Sequence, residues 1–168
     1  MIKKKTSKLI RLSKKNNFTL SVAESCTGGL LSSSIIQESG ASNFFHMGFI
    51  TYSNKAKINI LSVNSNIIKK YGAVSEETAL EMVKGVYKKT KSNLSISITG
   101  VAGPKGGTKI NPVGTVCFGI GINYKDKSII YKTIKKKFNL RTRIGIQRKS
   151  VVFVLDNLIE IILTHKFD

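Results

Sequence analysis

An apolar run from Phe18 to Val22 breaks directly into Ala23-Glu24-Ser25-Cys26-Thr27-Gly28-Gly29. That handover from apolar residues to polar nucleophiles and paired glycines constrains this chain more than any other feature. So short a run reads as a strand, the glycines permit a sharp turn, and helical spacing over 27–37 puts a helix directly after it, stopped by Gly40. Strand, tight turn and helix form the local unit of α/β proteins. There the carboxyl end of a buried strand and the first free N–H groups of the next helix face one opening, where an anion or a developing oxyanion is stabilised. A second handover follows the alternating residues Leu94 to Ile98, which run into Thr99-Gly100-Val101-Ala102-Gly103-Pro104-Lys105-Gly106-Gly107. Together the two loops imply a single two-sided pocket.

The remaining segments fit the same plan. Ile2 to Lys15 reads as an amphipathic helix ended by Asn16-Asn17, and Phe44 to Tyr52, rich in aromatic and β-branched residues, as a strand. Ser53 or Asn54 can cap a helix over Lys55 to Leu61. Ser75 is a strong N-cap, with Glu76 and Glu77 in the first turn and Ala79, Met82, Val83, Val86 and Tyr87 at helical spacing. Val113 to Ile122 and Ser128 to Phe138 read as a β-hairpin whose turn contains Asn123 and Asp126. Leu140 to Leu163 carries Ile144, Val151, Val152, Leu155, Leu158, Ile159, Ile162 and Leu163 as the stripe of a long helix. The expected architecture is one domain over 1–168, an α/β fold: a three-layer α/β/α sandwich around a mixed, mostly parallel sheet of about five strands with one antiparallel hairpin.

Composition narrows the function classes. With 168 residues, 41% hydrophobic and 22% charged, the chain has the make-up of an ordinary globular protein. It holds no apolar run long enough to span a bilayer and no secretory signal pattern, so a cytoplasmic protein is expected, with no membrane partner. The net charge of +19 invites a nucleic-acid reading. Against it, only Arg11, Arg141, Arg143 and Arg148 among the 28 basic residues are arginines, the lysines fall in short scattered groups, and no aromatic residues interleave with them for stacking. No specific nucleic acid is therefore expected, although the charge would help draw in a small phosphorylated anion. Cys26 and Cys117 have neither metal-ligand nor disulfide-framework spacing, and no metal or other cofactor is implied. The oligomeric state is left open, a homo-oligomer included.

Only two histidines, His46 and His165, are present, and His165 lies three residues from the C-terminus, so a Ser-His-Asp triad is a poor fit. Lysine is the remaining base, in the manner of Ser-Lys hydrolases. It can act only if held largely neutral. Bringing an amine from about 10.4 to about 7–8 costs roughly 4 kcal/mol, which requires at least partial burial. Lys57, in Tyr52-Ser53-Asn54-Lys55-Ala56-Lys57, is the candidate, with Lys55 disfavouring an extra charge nearby and Tyr52 relaying a proton. The alternative is one more lysine on a wet helix face. Ser25 is the candidate nucleophile or simply a strand end, Glu24 a site residue or a helix cap, and Cys26 a rival nucleophile or a buried filler. The glycine-rich segment 100–107 matches neither the dinucleotide fingerprint nor the P-loop; its N–H groups can cradle a phosphate or ribose, or it is an ordinary loop leading into the next strand. Arg141 and Arg143, at the start of the last helix, can pair with a phosphate or simply be exposed.

Taken in order, Ala23-Glu24-Ser25-Cys26-Thr27-Gly28-Gly29, Thr51-Tyr52-Ser53-Asn54 with Lys57, Gly72-Ala73-Val74-Ser75-Glu76, Thr99 to Pro104 and Pro112-Val113-Gly114-Thr115-Val116 resemble the CinA C-terminal domain family, the nicotinamide-nucleotide amidases. The resemblance runs from about residue 8 to about residue 162 and is to the family's stand-alone form. It implies an α/β/α fold and hydrolysis of nicotinamide mononucleotide to nicotinate mononucleotide and ammonia, in pyridine-nucleotide recycling. It further implies Ser25 as nucleophile, Lys57 as base and Tyr52 as its partner. Glu24, Thr27, Gly28 and Gly29 would contact substrate or oxyanion, Gly100, Ala102, Gly103 and Pro104 would form the pocket wall, and Arg141 would bind phosphate.

The chain departs from that pattern in two places. Relatives tend to have Gly-Asp-Arg followed by another arginine at the last helix, where this chain has Asn139-Leu140-Arg141 and then Gly145, so that a second cation is lost or supplied by Arg143 or Arg148. Lys55 stands where an acidic residue is common. These changes motivate a rival reading, a nucleotide-binding module with weakened chemistry. A basic nucleic-acid-associated protein is the third.

Overall fold

The structure of the chain, a computed structural model, describes residues 1–124, 128–165 and 167. The elements run α1 (Ile2–Ser13), β1 (Leu20–Glu24), α2 (Leu30–Ile36), a 3-10 turn at Ala41–Asn43, β2 (Phe45–Ile50), α3 (Asn54–Leu61), α4 (Ser65–Tyr71), α5 (Glu76–Thr90), β3 (Leu94–Gly100), β4 (Thr115–Asn123), β5 (Ile129–Lys137) and α6 (Arg143–Thr164). The five strands form one sheet in the order β2-β1-β3-β4-β5. The expected mixed sheet is present, with its pairings evenly divided rather than mostly parallel: β1 is parallel to β2 and β3, and β4 is antiparallel to β3 and β5. The even split arises because β4 returns against β3 before the hairpin adds β5. Asp126 of the expected turn lies outside the described residues.

The register gives the sheet two chemically different faces. Leu20 and Val22 align with Leu94 and Ile96, and these with Ile122 and Ile120, so large aliphatic side chains line one face and bury against α1, α2 and α6. The other face presents Ser21, Ala23, Ser95, Ser97, Thr99, Gly119 and Gly121 to α5, with α3 and α4 beside it. Small residues let α5 sit close. Ser97 Oγ donates to the Ala79 carbonyl at 2.6 Å and Thr99 Oγ1 to that of Ala73 at 2.7 Å. A Cβ on Gly119 would overlap the Ala79 carbonyl, and one on Gly85 the Leu61 carbonyl of α3. Ser75 caps α5 as expected, its hydroxyl accepting from Thr78 N at 3.1 Å.

Local chemistry explains where elements differ from expectation. The helix expected from Thr27 begins only at Leu30, because Gly28 and Gly29 adopt φ of +61° and +95°, a left-handed backbone that glycine tolerates and other residues avoid. Phe18 precedes its strand and packs on Phe44 and Phe167 instead. α6 begins at Arg143, not Leu140, since extended Thr142 caps it by accepting from Gly145 N at 3.2 Å. Ile144 and Leu163 stay exposed in its end turns, beyond the buried span. α4, capped by Asn64, had no counterpart in the sequence reading. Among the described residues no helix is long and apolar enough to cross a membrane.

Candidate active site

β1 is flanked by β2 on one side and β3 on the other, and the chain leaves β1 through α2 toward β2 but returns through α3, α4 and α5 to β3. At such a switch point the connections diverge and leave a crevice outside the strands' carboxyl ends. The strand ends are tied together there: Ser25 N donates to the Ile98 carbonyl and Thr51 N to the Glu24 carbonyl, both at 2.9 Å. The crevice holds about 340 Å³ and is bordered by Ser25, Tyr52, Lys57, residues 99–103, Lys105 and Arg143.

Lys57 enters it from α3. Ser53 caps that helix, accepting from Ala56 N at 3.0 Å, and Lys57 and Leu61, one turn apart, form its buried face. The Lys57 side chain is only 1% exposed. Its Nζ lies 3.0 Å from Ser25 Oγ, 2.9 Å from the Thr51 carbonyl and 3.4 Å from the Tyr52 carbonyl. Neither ion pair among the described residues involves it. Burial therefore dominates, pushing the Lys57 ammonium below its ordinary value of 10.5. An amine freed of its proton keeps the two carbonyls as acceptors for its N–H bonds and offers its lone pair to the Ser25 hydroxyl. Ser25 itself is 7% exposed, at the crevice floor.

The opposite wall comes from α6. Arg143, in its first turn, donates to the Gly103 carbonyl at 2.9 Å and to the Tyr52 hydroxyl at 3.2 Å, bridging both loops. A cation at a helix N-terminus opposes the helix dipole, so its position there marks a local cost. One turn later Gln147 Nε2 donates to the Cys26 carbonyl at 2.9 Å and fixes the turn that carries Ser25. On the far side, Asn111 Nδ2 holds the Val74 carbonyl at 2.9 Å, which ties the end of the glycine-rich loop to the entry of α5.

The sequence pattern of the CinA C-terminal domain matches residues 2–162. The chain belongs to the CinA C-terminal domain family. A CinA-like protein of Kosmotoga olearia is 44% identical over 149 residues, covering 88% of this chain and 34% of its own length. The chain spans about a third of the length of the curated relatives it matches, 37% and 34% for two of them. Among solved structures, a CinA superfamily protein of Klebsiella pneumoniae matches with a TM-score of 0.88 at 28% identity, covering 98% of this chain and 99% of that one. One of Escherichia coli matches at 0.87 and 34% identity, covering 96% and 90%.

In this CinA domain the anticipated site residues separate into two groups. Ser25, Lys57, Tyr52, Gly100, Ala102 and Gly103 border the crevice. Tyr52 does so differently from expectation: its backbone carbonyl faces Lys57, while its phenol, 63% exposed side chain and all, turns to Arg143. Glu24 does not face the crevice. Its buried carboxylate accepts from Gly29 N, Leu31 N, Ser32 N and Ser32 Oγ at 2.7–3.1 Å and caps α2. That bond uses the Gly29 N–H, and Gly28 N donates to the Ser25 carbonyl, so neither glycine serves as an oxyanion donor. Thr27 is buried outside the crevice, its hydroxyl without a hydrogen-bond partner among the described residues.

Pro104 is exposed and off the lining, and Arg141, ahead of α6, does not reach the crevice that Arg143 borders from the first position of the helix. Recognising Thr142 as the cap would have favoured Arg143 over Arg141 from sequence. Gln147 carried no such signal. Arg148 borders a separate hollow beside α1, together with Gly145. Lys55 is exposed and off the crevice, and the shift of Lys57 owes nothing to it. Cys26 borders the crevice beside Ser25 but is buried and packs into the core, and burial pushes its thiol up to about 12, against the thiolate form near neutral pH.

Proposed function

We propose that this domain hydrolyses the carboxamide of nicotinamide mononucleotide, giving nicotinate mononucleotide and ammonia, with Ser25 as nucleophile and Lys57 as base. The observation that carries this reading is the 3.0 Å approach of a buried amine to a serine hydroxyl at the floor of a crevice. Family membership supports the broader class.

In the proposed cycle, neutral Lys57 takes the Ser25 proton as Oγ bonds to the amide carbon, and the carbonyl oxygen becomes an oxyanion. The donor assigned to it is the N–H following the nucleophile, that of Cys26, since those of Gly28 and Gly29 are occupied. Lys57 then gives its proton to the leaving nitrogen, the C–N bond breaks and ammonia departs, leaving an ester on Ser25. Water attacks that ester, Lys57 accepts the water's proton and returns one to Oγ, and the acid is released. Arg143 takes the phosphate role first expected of Arg141, its guanidinium being held at the crevice mouth between Gly103 and Tyr52. Such a substrate belongs to the cytoplasm.

The rival reading of a binding module without chemistry drew on Lys55 and Gly145, neither of which borders the crevice. The test is ammonia release from purified protein given nicotinamide mononucleotide, with free nicotinamide as control. Release from the mononucleotide alone supports the proposal. Tight binding without release would favour the rival.

A further inference from the structure

The cations of this chain are placed differently on different helices. In α4, Lys69 and Lys70 stand in the last turn, as do Lys88 and Lys89 in α5, where the helix dipole favours positive charge. Glu76 and Glu77 hold the first turn of α5. α1 reverses that order. Its first turn holds Lys3, Lys4 and Lys5 and no acid, so three ammonium groups gather where the dipole opposes them. The first carboxylate of the chain is that of Glu24, which already caps α2.

Helical spacing lines part of this charge into a row. Lys4, Lys8 and Arg11, at i, i+4 and i+7, share one exposed face of α1, and exposed Lys15 follows in the turn that closes the helix. That face lies opposite Thr6, Leu9 and Ile10, which are buried. Like charges at this spacing destabilise a helix. Elsewhere neighbours relieve such cations: Lys5 pairs with Asp156, Lys84 with Glu81, Lys136 lies over the Phe153 ring and Lys137 donates to the Val113 carbonyl. Among the described residues, none of Lys4, Lys8, Arg11 and Lys15 makes an ion pair or lies over a ring. Beside the first turn, Lys3 borders a hollow of about 530 Å³ together with Arg148 and Lys149 of α6, and no carboxylate lines it. The fold thus joins cations that are far apart in sequence into a row with a basic recess at its N-terminal end.

We propose that the outer face of α1 is a docking surface for the sugar-phosphate backbone of nucleic acid, bound without regard to sequence. Cations about one helical turn apart meet a row of phosphates, and each contact releases a counterion. The same phosphates relieve the repulsion within the row and the opposition of the dipole at its first turn. With one arginine among the four and no aromatic residue on the face, the row is recognised by charge alone and has no means of reading bases. A membrane suits it less, since the exposed residues of α1 include no apolar side chain to enter the lipid. The inference does not depend on the proposed amidase activity.

Fluorescence anisotropy of a short labelled DNA duplex of arbitrary sequence, titrated with the full chain at a series of salt concentrations, tests it. A variant combining Lys4→Gln, Lys8→Gln, Arg11→Gln and Lys15→Gln should make the slope of log K against log salt shallower by about 3–4, at about 0.9 per lost phosphate contact, and equally for duplexes of unrelated sequence. A second variant combining Lys69→Gln, Lys70→Gln, Lys88→Gln and Lys89→Gln removes the same charge from α4 and α5 and should leave the slope nearly unchanged. Equal losses in the two variants would overturn the proposal. So would a wild-type chain that does not bind the duplex at low salt, or one that binds anionic lipid vesicles with the same dependence on α1. Amide NMR shifts of the unaltered protein decide the matter even if a variant fails to fold: added duplex should move the signals of residues 3–15 first, and changes centred elsewhere would contradict the assignment.

Discussion

Glu24→Gln separates a carboxylate that shapes the site from one that touches substrate. Glu24 is fully buried and accepts from Gly29 N and Leu31 N on one oxygen and from Ser32 N and Oγ on the other. The amide retains one acceptor oxygen and turns the other position into a donor. The least costly arrangement sets the new NH2 against Ser32, whose hydroxyl can rotate to accept, and leaves the Ser32 N–H facing a donor. One buried donor without a partner costs about 1–3 kcal/mol. Losing the negative charge at a helix N-terminus adds about 1 kcal/mol, for a total of roughly 2–4 kcal/mol. In a chain of this size that lowers Tm by about 4–16 °C. Thermal unfolding followed by circular dichroism, with urea unfolding at unchanged m-value, measures it. A variant whose Tm stays within a degree or two while KM for the nucleotide rises would refute the structural role.

Four further outcomes follow from the site. Burial lowers the Lys57 ammonium from its ordinary 10.5, so kcat/KM should rise with pH as Lys57 loses its proton, and Lys57→Ala should lose that limb along with most activity. The same depression makes the folded state bind fewer protons than the unfolded one between the folded-state value and 10.5. Wild-type stability therefore gains, relative to Lys57→Met, as pH rises through that window, and paired urea titrations across pH check the sign. Arg143→Ala should raise KM for the mononucleotide about tenfold or more and leave the unphosphorylated riboside little affected, consistent with loss of a charge-assisted contact, whereas Arg141→Ala should change neither. Cys26, with its thiol near 12, should resist alkylation in the folded protein at pH 8, and Cys26→Ala should retain activity. Rapid labelling with loss of turnover would return it to candidacy.

The candidate site was legible where few residue types fit the chemistry proposed for it. The scarcity of histidine left lysine as the candidate base, the family resemblance joined Lys57 to Ser25 where the residues alone kept both open, and the structure brings the two side chains to hydrogen-bond distance. The burial of Lys57 was not legible. Residues 54–61 show a helix, but which of its faces turns inward depends on α3 docking where Gly85 of α5 lets the Leu61 carbonyl approach. Glu24 stood between capping and binding, because a carboxylate after a strand suits both; only the turn at Gly28 and Gly29 aims α2 at it. Arg141 and Arg143 are indistinguishable by type and are told apart by the cap at Thr142. The apolar sequence of β2 identified a strand yet not its place at the edge, since apolar composition does not tell a central strand from an unprotected one.

The central claim is that a buried amine activates the Ser25 hydroxyl for attack on the substrate amide, and Ser25→Ala tests it most directly. The substitution removes one oxygen from a folded crevice, so the variant should keep its Tm and its affinity for the mononucleotide while ammonia release falls about 10³-fold or more, as loss of a nucleophile does in serine hydrolases. Ammonia release by the folded variant at the wild-type rate would contradict the account.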